Sequence, residues 1–444
     1  MEVSETKQTV LALFLCCVLL LSSCADVRTD VEGMLTAPTL TEDQYAVKEA
    51  LEAYTGEPPR LKYPKSGDRE RRAPIQFIDL DGDGINEAVV FCVTGESDVA
   101  QLAVLVQADE SWTVAGITNG LDINIESVNF LTISESGSRY ILAEWSSANP
   151  RERKTSVYRF DRFEEDEPII MGFDDTSSRT LVYDLNGDGY PELIYVAERA
   201  GRFTLKYVNL ADMQQTSLSD DEGETIEPDV DGHALDERMI GCLGLTAGTL
   251  ADGTRAIFID ESIGIRDDGE IGYQVTEVFI LEGDHLKRAL DKEDYDITIL
   301  TERPDTDPTC RNLFDDENVV FPSTSGPEAL EPIWLYWYSI NEGEVECRAV
   351  SYADANRNFA LLVPDYWISK VTVDIYNNND ENPCIWVVSD VATQTVFLTI
   401  KMLSVGESSA ADIENGFQLV GQAGSYRYYI KGNLNEDGLK FILL

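Results

Sequence analysis

The chain has 444 residues, 43% of them hydrophobic, and carries 81 Asp and Glu against 34 Lys and Arg, a formal net charge of −47. That length and apolar content support a large core and more than one domain. So acidic a chain is repelled by phosphate backbones and anionic lipid, which excludes nucleic-acid binding, and its self-repulsion favours bound cations.

The first element is the apolar stretch Val10 to Leu21. It is too short for a membrane span of ~20 residues and fits the core of a signal peptide. It ends in Leu21-Ser22-Ser23-Cys24, which resembles the bacterial lipobox. That resemblance implies a lipoprotein signal peptide over residues 1–23 and lipidation of Cys24. The rest of the chain is then expected at the extracytoplasmic face of the bacterial cell membrane, held by the Cys24 lipid anchor. Residues 24–40 lack periodicity and read as a tether; residues 41–72 are a helix and lead-in. Thr41-Glu42-Asp43-Gln44 is a capping box, and Ala46, Val47, Ala50, Leu51 and Tyr54 recur at helical spacing before Gly56. This helix is expected to pack on the element that follows.

A repeat runs from residue 73 to 355. FIDLDGDGINEAVVF begins at Phe77, and FLTISESGSRYILAE begins at Phe130 with Gly137 on Gly84. Further copies place position 1 at residues 184, 248 and 312, after 79 and 132. Each copy reads as four strands. In the first these are Ile75 to Leu80, Ala88 to Val93, Leu102 to Gln107 and Trp112 to Ile117. A four-stranded unit of about 50 residues, repeated, is the signature of a β-propeller blade. The fold class is therefore mainly β: a propeller-like array of about five four-stranded blades. A small C-terminal α+β domain, residues 356–444, follows.

Two copies carry chemistry. Asp79-Leu80-Asp81-Gly82-Asp83-Gly84-Ile85-Asn86-Glu87 and Asp184-Leu185-Asn186-Gly187-Asp188-Gly189-Tyr190-Pro191-Glu192 both set oxygen side chains at positions 1, 3, 5 and 9, with Gly at position 6. Hard cations such as Ca²⁺ take about six to eight oxygens, and such a loop points alternate side chains at one centre. Position 12 is Val90 or Tyr195, so neither loop is an EF-hand. A plain Asp-Gly hairpin turn is the competing reading. The second copy replaces the oxygens with Thr132, Ser134 and Ser136, with Tyr140 at position 9. The first loop has four carboxylates and the second three plus an amide. Ligand charge therefore predicts tighter Ca²⁺ binding by the first, both in the extracellular range of about 10⁻⁴ to 10⁻³ M.

On these loops the chain resembles the FG-GAP and VCBS-type repeats of integrin α-subunits and bacterial surface lipoproteins. The resemblance covers roughly residues 40 to 350. It implies Ca²⁺ as the cofactor. The implied ligands are Asp79, Asp81, Asp83 and Glu87 with the carbonyl of Ile85, then Asp184, Asn186, Asp188 and Glu192 with the carbonyl of Tyr190. It also implies a non-enzymatic binding or scaffold module at the cell envelope, with a protein or glycan ligand on the propeller face. The alternative is a polysaccharide-acting enzyme or its accessory subunit.

The remaining features favour structure over chemistry. Gln215 to Glu237 is acidic and reads as a solvated loop. Trp334, Tyr336 and Tyr338 alternate along one strand and are expected in the core rather than in a sugar-binding strip. Cys92, Cys242, Cys310, Cys347 and Cys384 have no metal-ligand spacing, and Cys92 reads as a buried small hydrophobe. Only His233 and His285 are present, and no nucleophile elbow or phosphate-binding loop occurs, so no catalytic residue is assigned. In the C-terminal module, RNFALLVPDYWISKVTVDI resembles small α+β units similar to the extrinsic photosystem subunit fold. Asn433, Asn435 and Asp437-Gly438 read there as a hairpin turn.

Overall fold

The computed structural model describes residues 40–444 except 69, 109–110, 134, 136, 148–152, 165–166, 211–229, 266–270, 284, 291–308, 314–316, 324–333, 355–356, 377–383, 408 and 433–437. The signal segment, Cys24, most of the tether, Ser134, Ser136, most of the acidic stretch before Val230 and the Asn433 to Asp437 turn lie outside the described residues.

The helix Glu42–Thr55 forms where the capping box places it. Thr41 Oγ1 accepts from Gln44 N at 3.3 Å, and the Gln44 side chain accepts from Thr41 N at 3.0 Å. Gly56 closes the helix at φ 80°, a left-handed conformation that glycine adopts without strain. Val47 and Leu51 are buried, whereas Tyr54 faces solvent.

Beyond the helix the chain folds into successive antiparallel sheets. Blade one pairs Ile75–Ile78, Glu87–Val93, Gln101–Ala108 and Ser111–Asn119. The short strand Arg60–Leu61 continues the first edge, pairing with Val93 and Cys92. Blade two holds Asn124–Thr132, Arg139–Ser146, Arg153–Phe160 and Ile169–Ser177. Blade three holds Arg179–Tyr183, Glu192–Arg199, Arg202–Val208 and Val230–Ala234. Blade four holds Met239–Thr249, Arg255–Ile265, Ile271–Glu282 and His285–Arg288. Blade five begins with Arg311–Asn312, Val319–Ser323, Leu335–Asn341 and Glu344–Asp354. In all five, the repeated turn joins the first two of these strands.

Inner strands are apolar on both faces because each face meets a different neighbour. In blade one, Val89 and Phe91 pack with Ile141, Ala143 and Trp145 of blade two. Ala88, Val90 and Cys92, on the opposite face, pack under Val47 and Leu51 of the helix. Leu142 and Val157 of blade two meet Leu193 and Tyr195 of blade three. Ile194 and Val196 meet Ile257, Ile259 and Phe279 of blade four. Ala256 and Phe258 meet Phe321, Tyr336 and Tyr338 of blade five. The array is thus helix, then blades one to five in sequence, with a separate core at each seam. Burial of this kind contributes about 25 cal/mol per Å² of apolar surface removed from water.

Two strands of the C-terminal segment, Phe359–Val363 and Lys440–Leu443, hydrogen-bond onto blade five and make it a six-stranded sheet. Between them the chain makes the α+β unit. Its five-stranded antiparallel sheet runs in the order Val371–Tyr376, Cys384–Asp390, Val396–Ser404, Tyr426–Gly432, Gln418–Ala423, with the short helix Ala410–Glu414. Trp386, Ile400 and Tyr428 of this unit share a core with Phe359 of blade five.

Candidate metal loops at the blade seams

The two acidic loops have nearly the same internal bonding. Asp79 takes Gly82 N at 2.8 Å and Gly84 N at 3.0 Å on its two oxygens. Asp184 takes Gly187 N at 2.8 Å and Gly189 N at 3.1 Å. Position 3 accepts from the position-5 N–H (Asp83 N to Asp81, 3.2 Å; Asp188 N to Asn186, 2.8 Å). Position 5 accepts from Ile85 N and from Tyr190 N, each at 2.8 Å. Such wrapping needs positive φ at two residues, and Gly82, Gly84, Gly187 and Gly189 supply it, at 82°, 87°, 84° and 93°. Gly82 and Gly187 stand at position 4, two residues before the position-6 glycines of the pattern.

Position 9 begins the second strand of the blade and points back under the loop. Glu87 and Glu192 are each 1% exposed. Each uses Oε2 to accept the N–H of position 2, Leu80 or Leu185, at 2.8 Å. Carboxylate oxygens of Asp79, Asp81 and Glu87 come within 4.8 Å of one another, and so do those of Asp184, Asp188 and Glu192. These are hard oxygen donors, the chemistry that suits Ca²⁺ or Mg²⁺. Asp83 stands outside its trio, and Asn186 Nδ2 donates to Asp188 Oδ2 at 3.0 Å.

The loops part company in their neighbours. Arg162, from the turn after the third strand of blade two, reaches into the first loop. Its Nε pairs with Asp81, its Nη1 with Asp83 at 2.8 Å, and its Nη2 with Glu87 Oε1 at 3.2 Å. In the second loop Arg255, at the start of the second strand of blade four, pairs through Nη1 with Asp184 and its carbonyl. Arg255 does not reach Glu192. Among the described residues Glu192 Oε1 makes no hydrogen bond or ion pair, while Oε2 also takes Asn186 N at 3.4 Å. Burial raises the Glu192 carboxyl, with Asp188 and Asp184 adding to the effect against the two N–H donors, to about 7. Burial also raises Glu87, and the Leu80 N–H and Arg162 oppose that rise.

Neither arginine was visible in the loop pattern, because each comes from the following blade at an unrelated position. The turn of blade two also touches the first loop, through Arg139 N to Leu80 O at 2.7 Å. The other sequence features are structural. Trp334, Tyr336, Trp337 and Tyr338 are all buried, which places the aromatic strand in the core. His233 packs edge-on against Phe279 with ring centroids 5.1 Å apart. Cys92 is a buried thiol, pushed up to about 12 by burial. No described helix is long and apolar enough to cross a membrane.

No family model and no curated protein matches the chain. Among solved structures, the crystal structure of a protein from Lactobacillus plantarum aligns over 76% of this chain and 93% of its own, at 9% identity and a TM-score of 0.30.

Proposed function

We propose that this chain is a Ca²⁺-stabilised, propeller-like binding or scaffold protein of the bacterial cell envelope, anchored through Cys24, with the metal in a structural role. The observation that supports this reading most directly is the second acidic loop. It converges Asp184, Asp188 and the buried Glu192 on one point, and one Glu192 oxygen lacks a protein partner among the described residues. A buried carboxylate is costly without a counter-charge. A divalent cation on Asp184, Asp188 and Glu192, with Asn186 and the Tyr190 carbonyl as further oxygen donors, would supply it. The first loop would use Asp79, Asp81, Asp83, Glu87 and the Ile85 carbonyl in the same way. Bound there, the ion would lock the first hairpin of a blade and neutralise part of a net charge of −47. The propeller face then remains for a protein or glycan partner.

A thermal melt tests this. A ligand of the native state raises stability by mass action. With about 2 mM Ca²⁺ and a dissociation constant near 10⁻⁴ M, the expected gain over EDTA is about 2 kcal/mol. Asp188→Ala removes most of it. Identical melts in Ca²⁺, Mg²⁺ and EDTA would reduce both loops to turns.

A further inference from the structure

We propose that Arg162 is a built-in counter-cation of the first acidic loop, so that the second loop takes the divalent ion first. The first loop then binds one only as Arg162 withdraws. This rests on the reading of the loops as cation sites and reverses the ranking that carboxylate count alone predicts. Three N–H groups of one guanidinium engage Asp81, Asp83 and Glu87, three of the four carboxylates in that loop. Two of these, Asp81 and Glu87, belong to the trio that could hold a metal. A divalent ion entering there must displace a cation tethered by the adjacent blade, which competes at high effective concentration. The remaining acid, Asp79, accepts one N–H of its own loop on each oxygen.

The second loop has the opposite arrangement. Arg255 engages Asp184 alone and leaves Asp188 and Glu192 to the loop. Glu192 Oε1 meets no protein cation among the described residues, where Glu87 Oε1 holds Arg162. The two seams therefore differ: an arginine of blade two spans three carboxylates of the first loop, and an arginine of blade four holds only Asp184 of the second.

The experiment is Ca²⁺ titration of the full chain in detergent, by calorimetry and by Tb³⁺ luminescence, on wild type, Arg162→Gln, Arg162→Lys and Glu192→Gln. Wild type should fill one site well before any second, and Glu192→Gln should lose that first site. Arg162→Gln should add a second site, tightened about tenfold or more over the wild-type first loop. Arg162→Lys keeps the charge but presents no planar fork, and should fall between. It serves in place of Arg162→Gln if that variant does not fold. Two sites of equal affinity in wild type, unchanged in both Arg162 variants, would overturn the proposal while leaving the loops as cation sites. No binding by any variant would overturn the cation reading and the proposal with it.

Discussion

Blade one holds its acidic loop against a guanidinium from blade two that touches three of its carboxylates, whereas blade three presents its loop to blade four with only Asp184 engaged. Backbone wrapping is nearly the same in both, down to the position-9 glutamate on the position-2 N–H. A loop motif therefore fixes where the oxygens stand and not which cation they meet. That is decided by one side chain of the next blade. The seam between blades two and three gives a third case. The turn of blade two carries Thr132 at position 1 and no acid at position 9, and the ion pairing at that seam comes from Asp175.

The largest expected effect lies beneath the loops and tests whether the cation or the apolar core dominates a seam. Trp145 is fully buried between blades one and two, and its Nε1 donates to Ser156 Oγ at 2.7 Å. Gly120 leaves room for it, since a Cβ there would stand 2.3 Å from the indole ring. Trp145→Ala should cost about 3–5 kcal/mol in a urea titration, equally in Ca²⁺ and in EDTA. Recovery of most of that loss in Ca²⁺ would mean that the loop, not the core, holds the seam.

Much of this fold could be read locally. The first repeat's strands, Ile75–Ile78, Glu87–Val93, Gln101–Ala108 and Ser111–Asn119, fall close to the expected limits, because apolar runs and turn residues are properties of short windows. The repeat is legible in Gly137 falling on Gly84 and in the recurrence of position 1 at residues 79, 132, 184, 248 and 312. What stayed hidden was pairing at a distance. Lys440–Leu443 adds to Phe359–Val363 across the whole C-terminal unit, and nothing in four residues names that partner. Arg60–Leu61 is shorter still. In the candidate site, the loop oxygens were legible from spacing, the position-9 glutamates among them, but not the burial of those glutamates. Arg162 and Arg255 were not, since Arg162 lies 75 residues from Glu87 and Arg255 71 from Asp184.

The seam without an acidic turn sharpens the comparison by pH. Asp175 of blade two accepts from Tyr195 Oη at 2.9 Å, Arg199 Nη2 at 2.8 Å and Lys206 Nζ at 2.9 Å, all of blade three. Burial works to raise its carboxyl, but these hydrogen bonds outweigh burial and hold it down to about 2. An acid whose folded pKa is depressed adds stability above its unfolded value and loses it as pH falls toward the folded one. Asp175→Asn should therefore cost about 2 kcal/mol at neutral pH. The gap to wild type should shrink to about half by pH 3. Neither figure should depend on Ca²⁺. A Ca²⁺-dependent loss would show that the acidic loops act across every seam.

Arg255→Gln is expected to do least, and for that reason it bears hardest on the contrast between the loops. Its pair with Asp184 is partly solvated, with side-chain exposures of 39% and 24%. An ion pair in that setting contributes about 0–1 kcal/mol and weakens with added salt. The N–H donors of Gly187 and Gly189 keep Asp184 oriented when the arginine is gone. Stability in EDTA should thus change by less than about 1 kcal/mol, and Ca²⁺ affinity at the second loop should rise by less than about threefold. Removing Arg162 frees two of the trio's carboxylates at once, whereas removing Arg255 frees part of one. Equal affinity gains from the two substitutions would erase the distinction, and each arginine would then be an ordinary surface partner of an acidic turn.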